Sequence, residues 1–251
     1  MAHKAKNIHA QTSSTWMKRI LPWIAVLAVS TTANPVMAGT DVAAMETKTI
    51  AAFHKDSFGN RQGNAVRGKQ IATQACAQCH GAEGNAVSSA FPSLSAQLPN
   101  YLASQLMLFK TGQRRSPVMH AIATNLAAGD MLDVAAYYAS QSPGKPYEST
   151  NAELLAHGEK LYREGDLKRG IPACTWCHGP GGGATSSIFP RIGGQSPIYL
   201  EVVLDVLKTK QFHIQEAYVM KAILTNLSRE DIKAVSEYTS TLTAAKPEST
   251  R

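Results

Sequence analysis

The sequence predicts an all-α protein made of two tandem copies of one small helical domain. Three observations predict it. The pentapeptide Cys-Xaa-Xaa-Cys-His occurs twice, as Cys76-Ala77-Gln78-Cys79-His80 and Cys174-Thr175-Trp176-Cys177-His178. The segments that carry it align with each other at a constant offset. No stretch alternates apolar and polar residues as a half-buried strand does, whereas several carry helix start signals and apolar faces of helical period.

The pentapeptide has the spacing for covalent haem attachment. Two thiols three positions apart can add across the two vinyl groups of one haem, and the adjacent His then supplies an imidazole nitrogen to iron. Two copies imply two haem c groups, bound by Cys76 and Cys79 and by Cys174 and Cys177, with His80 and His178 as proximal iron ligands. Three other readings compete. A redox disulfide needs no following His and favours a βαβ setting that neither copy has. A single zinc would have to draw together pairs 98 residues apart (174 − 76), each with its own His. Structural disulfides would consume the only four Cys of the chain, all of which the motifs already use.

Taken in order along the chain, the N-terminus is an export signal. Lys4, Lys6, Lys18 and Arg19 make a basic region, Ile20 to Ala33 a short apolar one, and Val36-Met37-Ala38 a small-residue cleavage site. Residues 1–38 are therefore read as a signal peptide cleaved after about Ala38, with Met17 an alternative start. The apolar run is shorter than the ~20 residues of a spanning helix and Pro22 interrupts it. Export suits haem attachment, which needs reduced thiols at an oxidising address, and points to the bacterial periplasm. The formal charge of +7 shrinks with the signal, because the remaining 21 cationic residues face 18 acidic ones, a balance of +3. No basic tract supports nucleic-acid binding. Peripheral membrane association is left open.

Residues 39–59 form an N-terminal extension with no counterpart later and no assigned role. The first domain spans 60–142. Its elements are a helix over Ala65–Ala75, the first haem motif, an irregular loop, a helix from Pro99 to Lys110 opened by proline in its first turn, a loop bearing Met119, and a last helix over Asp130–Ala139. Gln141-Ser142-Pro143-Gly144-Lys145-Pro146 has linker composition, and residues 143–150 are assigned to the linker. The second domain, 151–245, repeats the order: a helix over Ala152–Tyr162, the second motif, a helix from Pro197 to Lys208, a loop with Met220, and a last helix opened by a capping box of Ser228 and Asp231. Residues 246–251 are a tail. Each domain is small for a self-sufficient core, and a buried haem would supply the missing apolar volume.

The alignment assigns the sixth iron ligands. Cys76–Tyr101 and Cys174–Tyr199 match without a gap at offset 98, pairing Phe91-Pro92 with Phe189-Pro190, Gln97 with Gln195 and Tyr101 with Tyr199. Beyond that the offset is 101, pairing Met119 with Met220, Thr124-Asn125-Leu126 with Thr225-Asn226-Leu227, Asp130 with Asp231 and Tyr137 with Tyr238. Met220 is the only Met after the second motif, and the register picks Met119 over Met107 and Met131, which read as helix-face core. A thioether is soft and favours iron(II), which raises the reduction potential. His120 and His213 are rival sixth ligands, but neither has a His counterpart in the other copy.

With these motifs in place, the chain resembles class I cytochromes c, and as a pair of copies it is similar to the dihaem cytochrome c4 family. The resemblance covers residues 60–245 and rests on both haem motifs, the Phe-Pro pairs, the Gln-Xaa-Xaa-Xaa-Tyr segments and the late Met. It implies two class I cytochrome c-like domains, each wrapped around one haem. It implies that Pro92 and Pro190, each twelve residues after its His (92 − 80 and 190 − 178), accept a hydrogen bond from the proximal imidazole. It also implies a crossing of first and last helices, with Gly68 against Tyr137 or Tyr138 and Gly158 against Tyr238, and propionate contacts for Arg114, Arg115 or Arg191. The sequence departs from the family in the segment 39–59, in Trp176 inside the second motif, and in Gln211–Glu216 before Met220, which lacks the Arg of Gln113-Arg114.

Two six-coordinate haems leave no open site for substrate. The expected function is a periplasmic electron carrier, with redox proteins as partners: a quinol-oxidising complex or dehydrogenase as donor, a terminal oxidase or reductase as acceptor. The rival class is catalytic: the haem subunit of a dehydrogenase complex, or a dihaem enzyme such as a peroxidase or thiosulfate dehydrogenase. A haem-based sensor would need an output domain that the chain lacks.

Overall fold

The structure, a computed structural model, describes residues 52–185, 189–209 and 218–243. The expected signal peptide, most of the extension, the loop Gln211–Glu216 with His213, and the tail lie outside the described residues.

A short helix α1 (52–58) leads into the first domain. There follow α2 (Ala65–Ala75), α3 (Ala77–His80), α4 (Pro99–Lys110), α5 (Pro117–Thr124) and α6 (Ala128–Ser140). The second domain runs α7 (Ala152–Arg163), α8 (Thr175–His178), α9 (Pro197–Lys208), α10 (Tyr218–Asn226) and α11 (Arg229–Thr241). Among the described residues there is no strand, only an isolated bridge between Asp166 and Ile171. No described helix is long and apolar enough to cross a membrane.

Local chemistry sets the helix starts. Asn64 accepts hydrogen bonds from the Val66 and Arg67 amides. Asn151 caps α7 through the Leu154 amide. Ser228 and Asp231 cap α11 reciprocally, as the sequence predicts. Each such cap is worth about 1 kcal/mol. Pro99 and Pro197 occupy the first turns of α4 and α9, where a missing N–H costs nothing. One expectation changes. Met119 and Met220 sit on the helices α5 and α10 rather than in loops. Ser116 explains the first: its hydroxyl accepts from the Met119 amide and starts α5 ahead of Pro117.

In each domain the first helix packs on the last, α2 on α6 and α7 on α11. At the crossings a Cβ on Gly68 would collide with the Asp133 carbonyl and reach Tyr137 Cβ, and one on Gly158 would collide with the Ala234 carbonyl and reach Tyr238 Cβ. Only glycine permits so close an approach. The register of these contacts places Gly158 90 residues after Gly68, whereas the motifs are 98 apart. The difference is an insertion between α7 and the second motif, which holds a 3-10 turn, Leu167–Arg169. Phe58, from the extension that the sequence leaves without a role, is fully buried in the core of the first domain beside Leu132, Tyr138 and Met131. Met107 packs against the same core.

Candidate haem sites and the seam between them

Each motif forms a single helical turn. The His80 amide donates to the Cys76 carbonyl at 3.0 Å, and the His178 amide to the Cys174 carbonyl at 2.9 Å. One turn brings the two sulfurs to the same side of the chain, with the His next in line. All four Cys are thiols of intermediate exposure. Burial pushes the Cys76 and Cys174 thiols up to about 11, so as free side chains they stay protonated. Gly81 and Gly179, at φ 78° and 76°, end the turns in a conformation that side chains disfavour.

The imidazoles are buried and held alike. Nδ1 of His80 lies 2.9 Å from the Pro92 carbonyl oxygen, and Nδ1 of His178 lies 2.9 Å from that of Pro190. A carbonyl can only accept, so each Nδ1 carries the proton and each Nε2 keeps its lone pair. Phe91 and Phe189 stand edge-on to the rings at 6.2 and 6.1 Å. Burial lowers both imidazole pKa values more than the Pro hydrogen bonds raise them. Both rings are therefore neutral, the form that ligates a metal. Reduced paired thiols, a neutral imidazole with its Nε2 lone pair left over, and a carbonyl fixing the ring plane are the donor set that a covalent haem requires.

Met119 is half-buried on α5, and Met220 is half-buried on α10 and packs against the cluster of Ile171, Leu224, Leu227 and Ile232. His120 is exposed, and its Nδ1 lies 2.8 Å from the Phe109 carbonyl. Among the described residues no three of His, Cys, Asp and Glu gather as a metal-binding cluster.

The three arginines go to different places. Arg115 is exposed. Arg114 is buried, lies 4.6 Å over the Phe109 ring, and donates to Gln105 and, at 2.9 Å, to the Tyr199 hydroxyl of the other domain. Burial and the neighbouring Tyr199 push Tyr101, which also borders Arg114, up to about 12. Arg191 donates to the Ser95 carbonyl across the domains at 3.2 Å.

That seam is where sequence reasoning missed most. Gln97 and Gln195 match in the repeat but had no role. Both are buried, at 7% and 8% exposure, and both side chains reach into the opposite domain, to Arg191 and Ser93 respectively. The signal was present: each Gln stands five residues after its Phe-Pro pair (97 − 92 and 195 − 190).

Comparison with known proteins agrees with this geometry. The cytochrome c family model matches residues 65–142. The chain is 38% identical over 178 residues to a cytochrome c4 of Pseudomonas aeruginosa, covering 70% of this chain and 87% of that one. It is 34% identical to a thiosulfate dehydrogenase electron acceptor of Thiomonas intermedia, over 65% of this chain and 76% of that one. The structure of reduced cytochrome c4 from Pseudomonas stutzeri superposes with a TM-score of 0.66 at 33% identity, covering 72% of this chain and all of that one.

Proposed function

The chain belongs to the cytochrome c4 family, and on that premise we propose that it carries electrons in the periplasm between a respiratory donor and a terminal oxidase or reductase. It is a dihaem electron-transfer protein with two covalently bound haem c groups, not an enzyme. Bound haem supplies a one-electron iron(II)/iron(III) couple. Cys76, Cys79, His80 and Met119 would hold one haem, and Cys174, Cys177, His178 and Met220 the other, each through an imidazole nitrogen and a thioether sulfur. The observation that carries this reading is the matched geometry of the two imidazoles, each fixed through Nδ1 at 2.9 Å from a proline carbonyl. A ligand plane held in one orientation keeps the reorganisation on electron transfer small, and the carbonyl sets the basicity of the ring. The thioether shifts each couple towards iron(II).

The donor is a quinol-oxidising complex or a dehydrogenase. The likeness to a thiosulfate dehydrogenase electron acceptor favours a dehydrogenase. The residues 1–38 direct export, and 60–142 and 151–245 are the two carrier domains. Visible spectra of the exported holo-protein test the ligand set. Two low-spin haems per chain are expected, with a far-red sulfur-to-iron(III) band worth two Met. A high-spin fraction, or a band worth one Met, would overturn the assignment for one domain.

A further inference from the structure

The two seam glutamines make the same contact in opposite directions. Gln195 Oε1 accepts from the Ser93 amide at 2.9 Å while its Nε2 donates to the Ser93 carbonyl at 2.9 Å. Gln97 Oε1 accepts from the Arg191 amide at 2.9 Å while its Nε2 donates to the Arg191 carbonyl at 2.8 Å. Each Oε1 takes a second bond from the next amide in its own chain, Ser196 at 2.9 Å and Leu98 at 3.0 Å. Each carboxamide is thus held by three hydrogen bonds, two accepted and one donated.

The peptide unit that each Gln grips is the one that holds the opposite imidazole. The Ser93 N–H and the Pro92 C=O belong to one amide plane. Its oxygen faces His80 Nδ1 at 2.9 Å and its N–H points to Gln195. In the other domain, the plane of Pro190 and Arg191 faces His178 at 2.9 Å with its oxygen and Gln97 with its N–H. We propose that Gln195 is a positioning residue for His80 and Gln97 for His178, so that each domain sets the reduction potential of the other domain's haem. The inference rests on the assignment of His80 and His178 as iron ligands.

The route is polarisation along a hydrogen-bonded chain. An amide whose N–H is donated becomes a stronger acceptor at its oxygen. A stronger acceptor at Nδ1–H makes the imidazole more electron-rich, which stabilises iron(III) and lowers the potential. Remove the Gln, and the acceptor weakens and the potential rises, in the domain that was not mutated.

The test is a spectroelectrochemical titration of full-length holo-protein. NMR assigns each haem, with the Trp176 indole marking the second, since the first motif has Gln78 at that position. Gln195→Met should raise the potential of the first-domain haem and leave the second in place. Gln97→Met should do the reverse. Tyr199→Phe cuts another cross-domain bond, that from Arg114, and should move neither. A shift confined to the mutated domain, an equal shift of both haems, or no shift would overturn the proposal. Should the Met variants fail to fold, Gln195→Glu keeps the length and offers Ser93 N–H a stronger acceptor. It should lower the first potential, and a rise would count against the proposal. Failure of the underlying ligand assignment is distinguishable, because the wild-type spectra would already lack two low-spin imidazole-ligated haems.

Discussion

Behind the first haem motif the buried tyrosine ring comes from the last helix of its domain, and behind the second it comes from the first helix. Tyr138 on α6 donates to the Gly81 carbonyl at 3.4 Å, and Tyr162 on α7 donates to the Gly179 carbonyl at 2.7 Å. The repeat register pairs Tyr138 with Thr239, and the register of the glycine crossings pairs Tyr162 with Ala72, so large and small residues have traded helices. Both rings are fully buried, and each tilts against the matched tyrosine of its crossing, Tyr137 at 5.2 Å and Tyr238 at 5.5 Å. What the two domains share is a filled volume and a hydrogen bond to the glycine after the His. Which helix supplies the ring is free to vary, as close packing allows when total volume is kept.

Two substitutions would convert the first crossing into the second. Ala72→Tyr alone forces a second ring into occupied space, and Tyr138→Thr alone leaves a cavity; each should cost about 3 kcal/mol. Together they should recover most of that loss in urea unfolding of the holo-protein. Simple addition of the two penalties would show that the sites are not one packing unit.

Charge at the same crossings differs too. In the first domain Arg67 serves two carboxylates, Asp130 and Asp133, the latter at 3.1 Å. In the second, Asp231 stands at the register of Asp130 and collects His157 at 2.8 Å and Arg169 at 2.5 Å, Arg169 coming from the inserted turn. Burial would raise the Asp231 carboxyl, but its bonds to Arg169, Ser228 and His157 outweigh it and hold it well below the usual carboxylate range. A depressed folded pKa means stability that is present above the unfolded value of about 3.9 and is lost as pH falls towards the folded one. Asp231→Asn should therefore cost the protein about 2 kcal/mol at neutral pH and flatten its acid-unfolding curve below about pH 4. Equal acid sensitivity in the variant would remove Asp231 from the account.

Smaller effects sharpen the picture. Tyr162→Phe loses a well-formed bond and should cost about 1 kcal/mol, whereas Tyr138→Phe loses a long one and should cost less. Thermal unfolding of the two holo-variants decides the order. At the seam, Ala96 holds φ 54° where the second domain has Gly194 at 70°. Gly194→Ala should destabilise by about 1 kcal/mol, and Ala96→Gly should come out near neutral, because relief of strain offsets the lost methyl packing. Equal melting changes in the two variants would deny that the backbone is the cause.

The helices were legible because their signals are local. Pro99, Pro197 and Ser228 announce their own boundaries, and the observed starts of α4 and α9 fall on those prolines. The motif residues were legible because attachment chemistry demands a spacing, and the Pro carbonyls were legible only through the family resemblance. Phe58 was not, since a short helix with one buried ring has no period to read. The exchange of Tyr138 for Tyr162 was hidden because volume compensation acts between residues far apart in sequence. The roles of Gln97 and Gln195 were hidden for another reason. Their partners are main-chain groups, which any sequence offers, so only the docked domains show which ones are met.

The glutamine clasp has a consequence for how such a chain arises. What the first half offers the second, the second offers back, so the contact is isologous: one copy carries both the hand and the grip. The four bonds fall into two matched pairs, so one surface serves on both halves. The short connection between the halves keeps such partners together at an effective concentration of about millimolar. Once joined, the halves no longer had to be equal. Arg114 reaches across to Tyr199, and the second copy has no Arg in Gln211–Glu216 to return that bond.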